Sequence, residues 1–193
     1  MNSVNINIAG FILRVLPVKD YSLELELGWA PFISTQADMQ EDVLIHTRAG
    51  IPKGLLNDDG LLFMADNSTQ RFYSVYNSGD YLKFIIYNQD NQSQVQQVAL
   101  CSKDFKRWEV YCQPSIDGSL VPLEYPLGPL LMYYLTVWND AIMVHSSGVH
   151  DGAMGRLFTG FSGAGKSTIS SIWASTNSTL INDDRLIVRK QND

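Results

Sequence analysis

Val4, Ile6 and Ile8 alternate with Asn5 and Asn7, and Leu23, Leu25 and Leu27 alternate with Ser22, Glu24 and Glu26. Apolar residues at every second position put one face of an extended chain against a core, so both segments are predicted strands. The same reading gives strands at 42–47, 61–65, 71–76, 81–87, 95–101 and 107–112. Turn-forming residues separate them, at Asn57-Asp58-Asp59-Gly60, at Asn77-Ser78-Gly79-Asp80 and across 88–93. Short strands at this spacing predict a mainly antiparallel β-rich domain over 1–115, arranged as a sandwich or a strongly curved sheet, with no long helix between Tyr21 and Cys112.

The period changes after Pro114. Leu127, Leu130, Leu131, Tyr134, Leu135 and Trp138 fall on one helical stripe, and Pro129 suits a first turn, where its missing N–H costs nothing. This helix lies in a linking segment, 116–140. Next come a strand over 141–149, a turn at Asp151-Gly152-Ala153-Met154-Gly155 and a strand over 156–159. A helix over 166–175, with Ile169, Ile172 and Trp173 facing inward, and short strands at 179–183 and 186–189 complete the pattern. The fold class expected is α+β: the β-rich domain, the link, and a partial α/β nucleotide-binding domain over 141–193.

Between the predicted strand at 156–159 and the helix after it runs Gly160-Phe161-Ser162-Gly163-Ala164-Gly165-Lys166-Ser167-Thr168. This is the spacing of a phosphate-binding loop, in the required strand–loop–helix context. Glycines at 160, 163 and 165 allow backbone N–H groups to wrap around phosphate oxygens, and the helix aims its positive N-terminal end at the anion. Lys166 supplies a point charge to the β- and γ-phosphates, and the Ser167 hydroxyl ligates Mg²⁺. Leu180-Ile181-Asn182-Asp183-Asp184 is an apolar strand ending in two carboxylates, seventeen positions after Lys166 in the case of Asp183. The expectation is that this strand returns beside the strand before the loop. Its carboxylates then reach the phosphates, where they bind the metal or its water and accept a proton from an acceptor. His145 shares a strand face with Met143, Ser147 and Val149, whereas His150 points the other way and His46 sits in an unrelated strand, so the histidines do not form a metal pair.

A formal net charge of −6 gives no overall positive field for nucleic acid or an anionic membrane. Cys101 and Cys112 lack metal-site spacing and are expected as buried free thiols on neighbouring strands. The first apolar stretch, 8–16, has no basic residues before it and is interrupted by Arg14, and the longest apolar run, near 127–138, is too short to span a bilayer. A cytoplasmic protein that binds neither nucleic acid nor membrane is the expectation.

Three stretches together resemble the superfamily of HPr kinase/phosphorylases and ATP-dependent phosphoenolpyruvate carboxykinases. Val144-His145-Ser146-Ser147-Gly148-Val149 is similar to its histidine-bearing strand, the loop at 160–168 to its phosphate loop, and Leu180-Ile181-Asn182-Asp183-Asp184 to its paired-aspartate motif. The resemblance covers about residues 141–190. It implies ATP with Mg²⁺ or Mn²⁺ as cofactors, held through Gly160, Ser162, Gly163, Ala164, Gly165, Lys166, Ser167 and Thr168. It also implies metal ligation by Ser167 and one of Asp183 and Asp184, with the other carboxylate orienting or deprotonating an acceptor hydroxyl and His145 facing the γ-phosphate and metal. The function expected is transfer of the γ-phosphoryl of ATP to a protein serine or small-molecule hydroxyl. A non-catalytic binding or scaffold protein with a vestigial loop is the alternative, and a phosphoenolpyruvate carboxykinase-like enzyme a weaker one. Superfamily members continue past the paired aspartates with strands that complete the sheet and the acceptor site, and the HPr-kinase signature expected there is absent. A C-terminally truncated or split member, or a domain completed by another chain, is therefore expected, with either self-association through an unpaired sheet edge or local disorder of the C-terminal segment.

Overall fold

The computed structural model describes residues 3–36, 39–67, 69–91 and 93–190. Gln92 of the expected turn at 88–93, and the last three positions of the expected nucleotide-binding segment, lie outside them. In order, the chain forms β1 (Val4–Ile8), β2 (Phe11–Leu16), β3 (Ser22–Leu23), β4 (Ile33–Ser34), β5 (Val43–Ala49), β6 (Leu61–Asp66), β7 (Arg71–Ser78), β8 (Tyr81–Tyr87), β9 (Val95–Ser102), β10 (Arg107–Cys112) and β11 (Ser119–Leu120). Then follow α1 (Leu127–Trp138), β12 (Ala141–His150), β13 (Gly155–Thr159), α2 (Lys166–Ala174), β14 (Thr179–Asn182) and β15 (Arg185–Arg189). The fold is α+β and rich in strands. It divides into two compact units, Met1–Leu131 and Met132–Asp193, and the division falls inside α1. Among the described residues no helix is long and apolar enough to cross a membrane.

In the first unit nine strands form one sheet in the order β4-β1-β2-β5-β10-β9-β8-β7-β6. Two of its hairpins follow from turn chemistry. Ile8 pairs with Phe11 across Ala9 and Gly10, both at positive φ, which is the turn whose twist matches the strands it joins. Ser78 pairs with Tyr81 across Gly79, at φ 67°, and Asp80. The sheet is mixed, not antiparallel throughout, because β5 runs parallel to both its neighbours, β2 and β10. Period-two alternation decides which face of a strand is buried but carries no information about its direction. The strands of 1–115 also form one sheet rather than two facing ones, with β3 set apart in a two-stranded ribbon with β11.

The buried face is built from register partners. Ile45 of β5 lies beside Trp108 of β10, which lies beside Cys101 of β9, and Val110 lies beside Ala99, which lies beside Phe84 of β8. All six are buried, and the Trp108 ring stacks on Phe84 with centroids 5.3 Å apart. Cys101 and Cys112 are buried and free, and they sit four ladder positions apart, opposite Trp108 and Gln97 respectively. Burial pushes the Cys112 thiol up to about 12 and raises Cys101 as well, so both remain protonated and unreactive.

The expected strand over Leu23, Leu25 and Leu27 extends only through Ser22–Leu23. A 3₁₀ turn, Leu27–Phe32, follows, and Leu27 is 91 % exposed. Gly28 and Pro31 bend the chain there, and Trp29 becomes the anchor instead, buried with its Nε1–H donating to the Leu123 carbonyl at 3.2 Å. Gly128, in the first turn of α1, packs against that ring. A Cβ at 128 would lie 2.6 Å from Trp29 Cζ2 and 2.7 Å from the Leu123 carbonyl oxygen. Alanine is favoured over glycine in a helix by about 1 kcal/mol, but overpacking a rigid ring and a backbone carbonyl costs about 1–3 kcal/mol. Gly128→Ala is therefore expected to lower stability despite the better propensity, and a rise in the thermal midpoint would contradict this packing.

In the second unit β12 is central. β13 lies on one side of it, and β14 and β15 run end to end along the other. All three are antiparallel to β12. The sequence led to the expectation that the strand carrying the aspartates would pair with the strand before the loop. Instead β12 separates β13 from β14, which still leaves both ending on the same side, because each is antiparallel to the strand between them. Asp183 and Asp184 fall between β14 and β15, alongside Ser147 and Ser146, and the Ser146 N–H donates to the Asp184 carbonyl at 3.0 Å.

Candidate functional site

The loop Gly160–Gly165 leaves β13 and enters α2 at Lys166. Its glycines serve two different needs. Gly163 and Gly165 take φ of 80° and 84°, in the left-handed region, whereas a Cβ on Gly160 would lie 2.9 Å from that of Ala164. No acidic residue of α2 itself occupies its first turn and no side chain caps it, so no carboxylate of the helix's own compensates the positive end of its dipole. Lys166 is 9 % exposed, and its Nζ donates to the carbonyls of Gly160 and Phe161 at 3.0 and 3.2 Å. The ammonium therefore sits inside the curve of the loop. An open hollow of about 450 Å³ beside it is lined by Leu157, Phe158, Thr159, Ala164, Gly165, Lys166 and Ile169.

The expectation for α2 needs correction. Ile169 and Ile172 are exposed, and Trp173 is only partly buried, with the Arg156 guanidinium 4.8 Å from its ring centre. The covered face carries Lys166, Ser170 and Trp173, at i, i+4 and i+7. Polar residues take that face because it looks onto the middle of β12 and the end of β14, where the serines and aspartates are.

Asp183 is the residue this face meets. Ser170, 1 % exposed, donates from Oγ to Asp183 Oδ1 at 3.4 Å. Hydroxyls of Ser147 and Ser167 also hold the carboxylate, and together with Ser170 and the Lys166 charge they keep it below the usual carboxylate range. Asp184 is directed elsewhere. Its Oδ1 lies 3.4 Å from His145 Nδ1 and its Oδ2 2.5 Å from Arg185 Nη1. The two carboxylates lie in the bend between β14 and β15, where Asn182 Oδ1 accepts from the Asp184 and Arg185 N–H groups, and they meet two different environments. The structure thus brings together Lys166, Ser167 and Asp183, and separately His145 and Asp184. Ser162 and Thr168 are exposed.

Ser147 and Ser170 were not singled out from sequence. The available signal was position: Ser170 stands four residues after Lys166, on the same helical face, where an inward-facing helix ordinarily carries an apolar side chain. Among the described residues no three His, Cys, Asp or Glu side chains converge on a common point. A hard divalent cation at a phosphate loop does not need such a cage, since one carboxylate, one hydroxyl, phosphate oxygens and water suffice. The all-oxygen pair Ser167 and Asp183 fits Mg²⁺ or Mn²⁺.

The lowered Asp183 pKa has a signed consequence. A carboxyl group more acidic in the folded protein adds stability that is fully present above its unfolded value near 3.8 and is lost as pH falls through the lower folded value. Asp183→Asn should flatten the acid limb of the stability–pH curve between 3.8 and the lower folded value. An unchanged acid limb would show that the three hydroxyls do not hold the carboxylate. No family model, curated protein or solved structure matches this chain.

Proposed function

We propose that this chain binds a nucleoside triphosphate, ATP in the first instance, with a divalent cation at the loop 160–167, and that it is a phosphotransferase of the HPr-kinase-like type. The observation that carries the reading is Asp183 held against Ser167 and Lys166, so that a carboxylate, a hydroxyl and an ammonium meet at one helix N-terminus. With nucleotide present, Lys166 exchanges the Gly160 and Phe161 carbonyls for phosphate oxygens, and the first N–H groups of α2 bind the same anion. Ser167 and Asp183 hold the cation, which when bound neutralises charge developing on the β- and γ-phosphate oxygens.

The second carboxylate has the complementary role. Asp184, paired with His145, accepts the proton of an acceptor hydroxyl. That oxygen forms a bond to the γ-phosphorus, the bond from the γ-phosphorus to the β–γ bridging oxygen breaks, and the diphosphate leaves with those electrons. His145 and Arg185 keep the Asp184 carboxylate oriented. Titration calorimetry tests the reading. ATP with Mg²⁺ is expected to bind at one site, and binding should weaken when a chelator removes the metal. Failure of ATP, GTP and inorganic pyrophosphate alike to bind would overturn it.

A further inference from the structure

Arg107 and Glu109 flank the buried Trp108 on β10, so alternation turns both onto the opposite face of the nine-stranded sheet. Glu109 pairs with His46 of β5 on one side and with Leu100 of β9 on the other. Ser102, two residues beyond Leu100, pairs with Tyr81 of β8. The ladder is regular here, since the register shift between β8 and β9 falls at Ile86 and Tyr87. With Trp108, these six residues line a hollow of about 340 Å³, large enough for a small molecule.

Most charges around the hollow are matched within the chain. Glu109 Oε1 accepts from Arg48 Nη2 and Oε2 from the Tyr111 hydroxyl, both at 2.9 Å, and the Arg48 bond is the main cause that holds this carboxyl below the usual carboxylate range. In the turn after β9, Asp104 accepts from the Ser102 hydroxyl at 2.6 Å and the Lys106 N–H at 3.1 Å, and it faces the Lys106 charge. Asp80 beside Tyr81 and Lys103 beside Ser102 offset each other in number. Two groups are left over. Among the described residues the Arg107 side chain has no hydrogen bond or ion pair, its N–H to Ser102 being that of the backbone. His46 lies in the field of Glu109, which Arg48 already holds. Arg107 is the diagonal neighbour of His46 across the ladder, and diagonal neighbours lie about 7–8 Å apart, so both side chains reach one oxyanion.

We propose that this hollow binds a small organic anion, a carboxylate or phosphate group on an apolar body. The Arg107 guanidinium presents parallel N–H donors to the oxyanion, and the His46 ring and Tyr81 hydroxyl donate to its remaining oxygens. Leu100 and the half-exposed Tyr81 ring cover the apolar body. The site belongs wholly to the first unit and does not rest on the nucleotide reading of the phosphate loop.

The test is an NMR titration of isotope-labelled full-length protein at constant ionic strength with benzoate and with phenyl phosphate, benzamide serving as the neutral control. Saturable shifts are expected at the Leu100 methyls, the His46 ring and the Arg107 side-chain N–H, and the tighter probe names the headgroup. Shifts that phenyl phosphate causes at 160–167 should vanish in Lys166→Ala while those at β5 and β10 stay. Arg107→Gln should weaken both probes about tenfold or more, the loss of a charge-assisted hydrogen bond, and should fold as wild type because Arg107 has no partner to lose. Lys103→Gln removes a charge at the rim and should weaken them less than about threefold. Absence of saturable shifts at Leu100 and His46, benzamide binding as tightly as benzoate, or equal effects of Arg107→Gln and Lys103→Gln would each overturn the proposal.

Discussion

Lys166→Ala is expected to weaken binding of Mg·ATP by about 100-fold, close to 2.7 kcal/mol, in calorimetric titration. The ammonium is the one side-chain cation inside the loop, and each hydrogen bond from it to a charged phosphate oxygen contributes about 1.5–3 kcal/mol. Its partners in the structure are two loop carbonyls, Gly160 and Phe161, which water reaches once the side chain is gone, so the fold should lose little. The substitution therefore separates binding from stability: affinity falls and the unfolding midpoint stays. Asp183→Asn should act differently, weakening binding with metal more than metal-free binding, because on the proposed reading it removes a ligand of the cation and leaves the ammonium in place. Equal titrations of wild type and Lys166→Ala would show that this loop is not the nucleotide site. A collapse of the fold in Lys166→Ala would show instead that the lysine acts chiefly as a strut across the loop.

The features legible in the sequence were those set by local pattern. β8 and β10 begin and end at the residues their alternation marks, and α2 begins at Lys166, directly after the glycine that must take a left-handed conformation. Strand direction was not legible, because β5 earns the same alternating pattern whether it runs with or against β2 and β10. Nor was the strand order of the second unit. The distance along the chain from Lys166 to Asp183 fixes where β14 ends, but not that β12 comes between it and β13. Around Leu25 the alternating pattern does not make a strand, because Gly28 and Pro31 bend the chain and Trp29 offers a larger group to bury.

The candidate site divides the same way. Glycines and a lysine at fixed spacing announce the loop, since backbone geometry demands them there. The surroundings of Asp183 come from two different elements, with Ser147 on β12 and Ser167 and Ser170 on α2, and no local spacing relates them. The same holds for the different fates of the two aspartates. Adjacent in sequence, they are assigned to separate partners only by the elements packed beside them: β12 and α2 give Asp183 the buried Ser147 and Ser170, and β12 gives Asp184 the exposed His145.

Trp108→Ala is expected to cost about 3–5 kcal/mol, the largest single stability loss in the first unit. The side chain is 1 % exposed on β10, a strand paired on both sides, to β5 and to β9. Three contributions are lost together. The ring leaves a cavity between Ile45 and Cys101, the stacking on Phe84 disappears, and the Phe105 carbonyl loses the Nε1–H that reaches it at 3.0 Å. Trp108→Phe separates them, since it keeps a ring against Phe84 and removes only the hydrogen bond and part of the volume. It should cost less than half as much. Stabilities of this size consume a large share of the 5–15 kcal/mol that holds a folded domain together, so the alanine variant should be near its unfolding limit at 37 °C. Urea titration measures the two variants, and hydrogen exchange at β9 and β10 amides locates the loss. A cost below about 1 kcal/mol for alanine, or equal costs for alanine and phenylalanine, would mean that the sheet is held by the flanking strands and not by the Trp108–Phe84 pair at its centre.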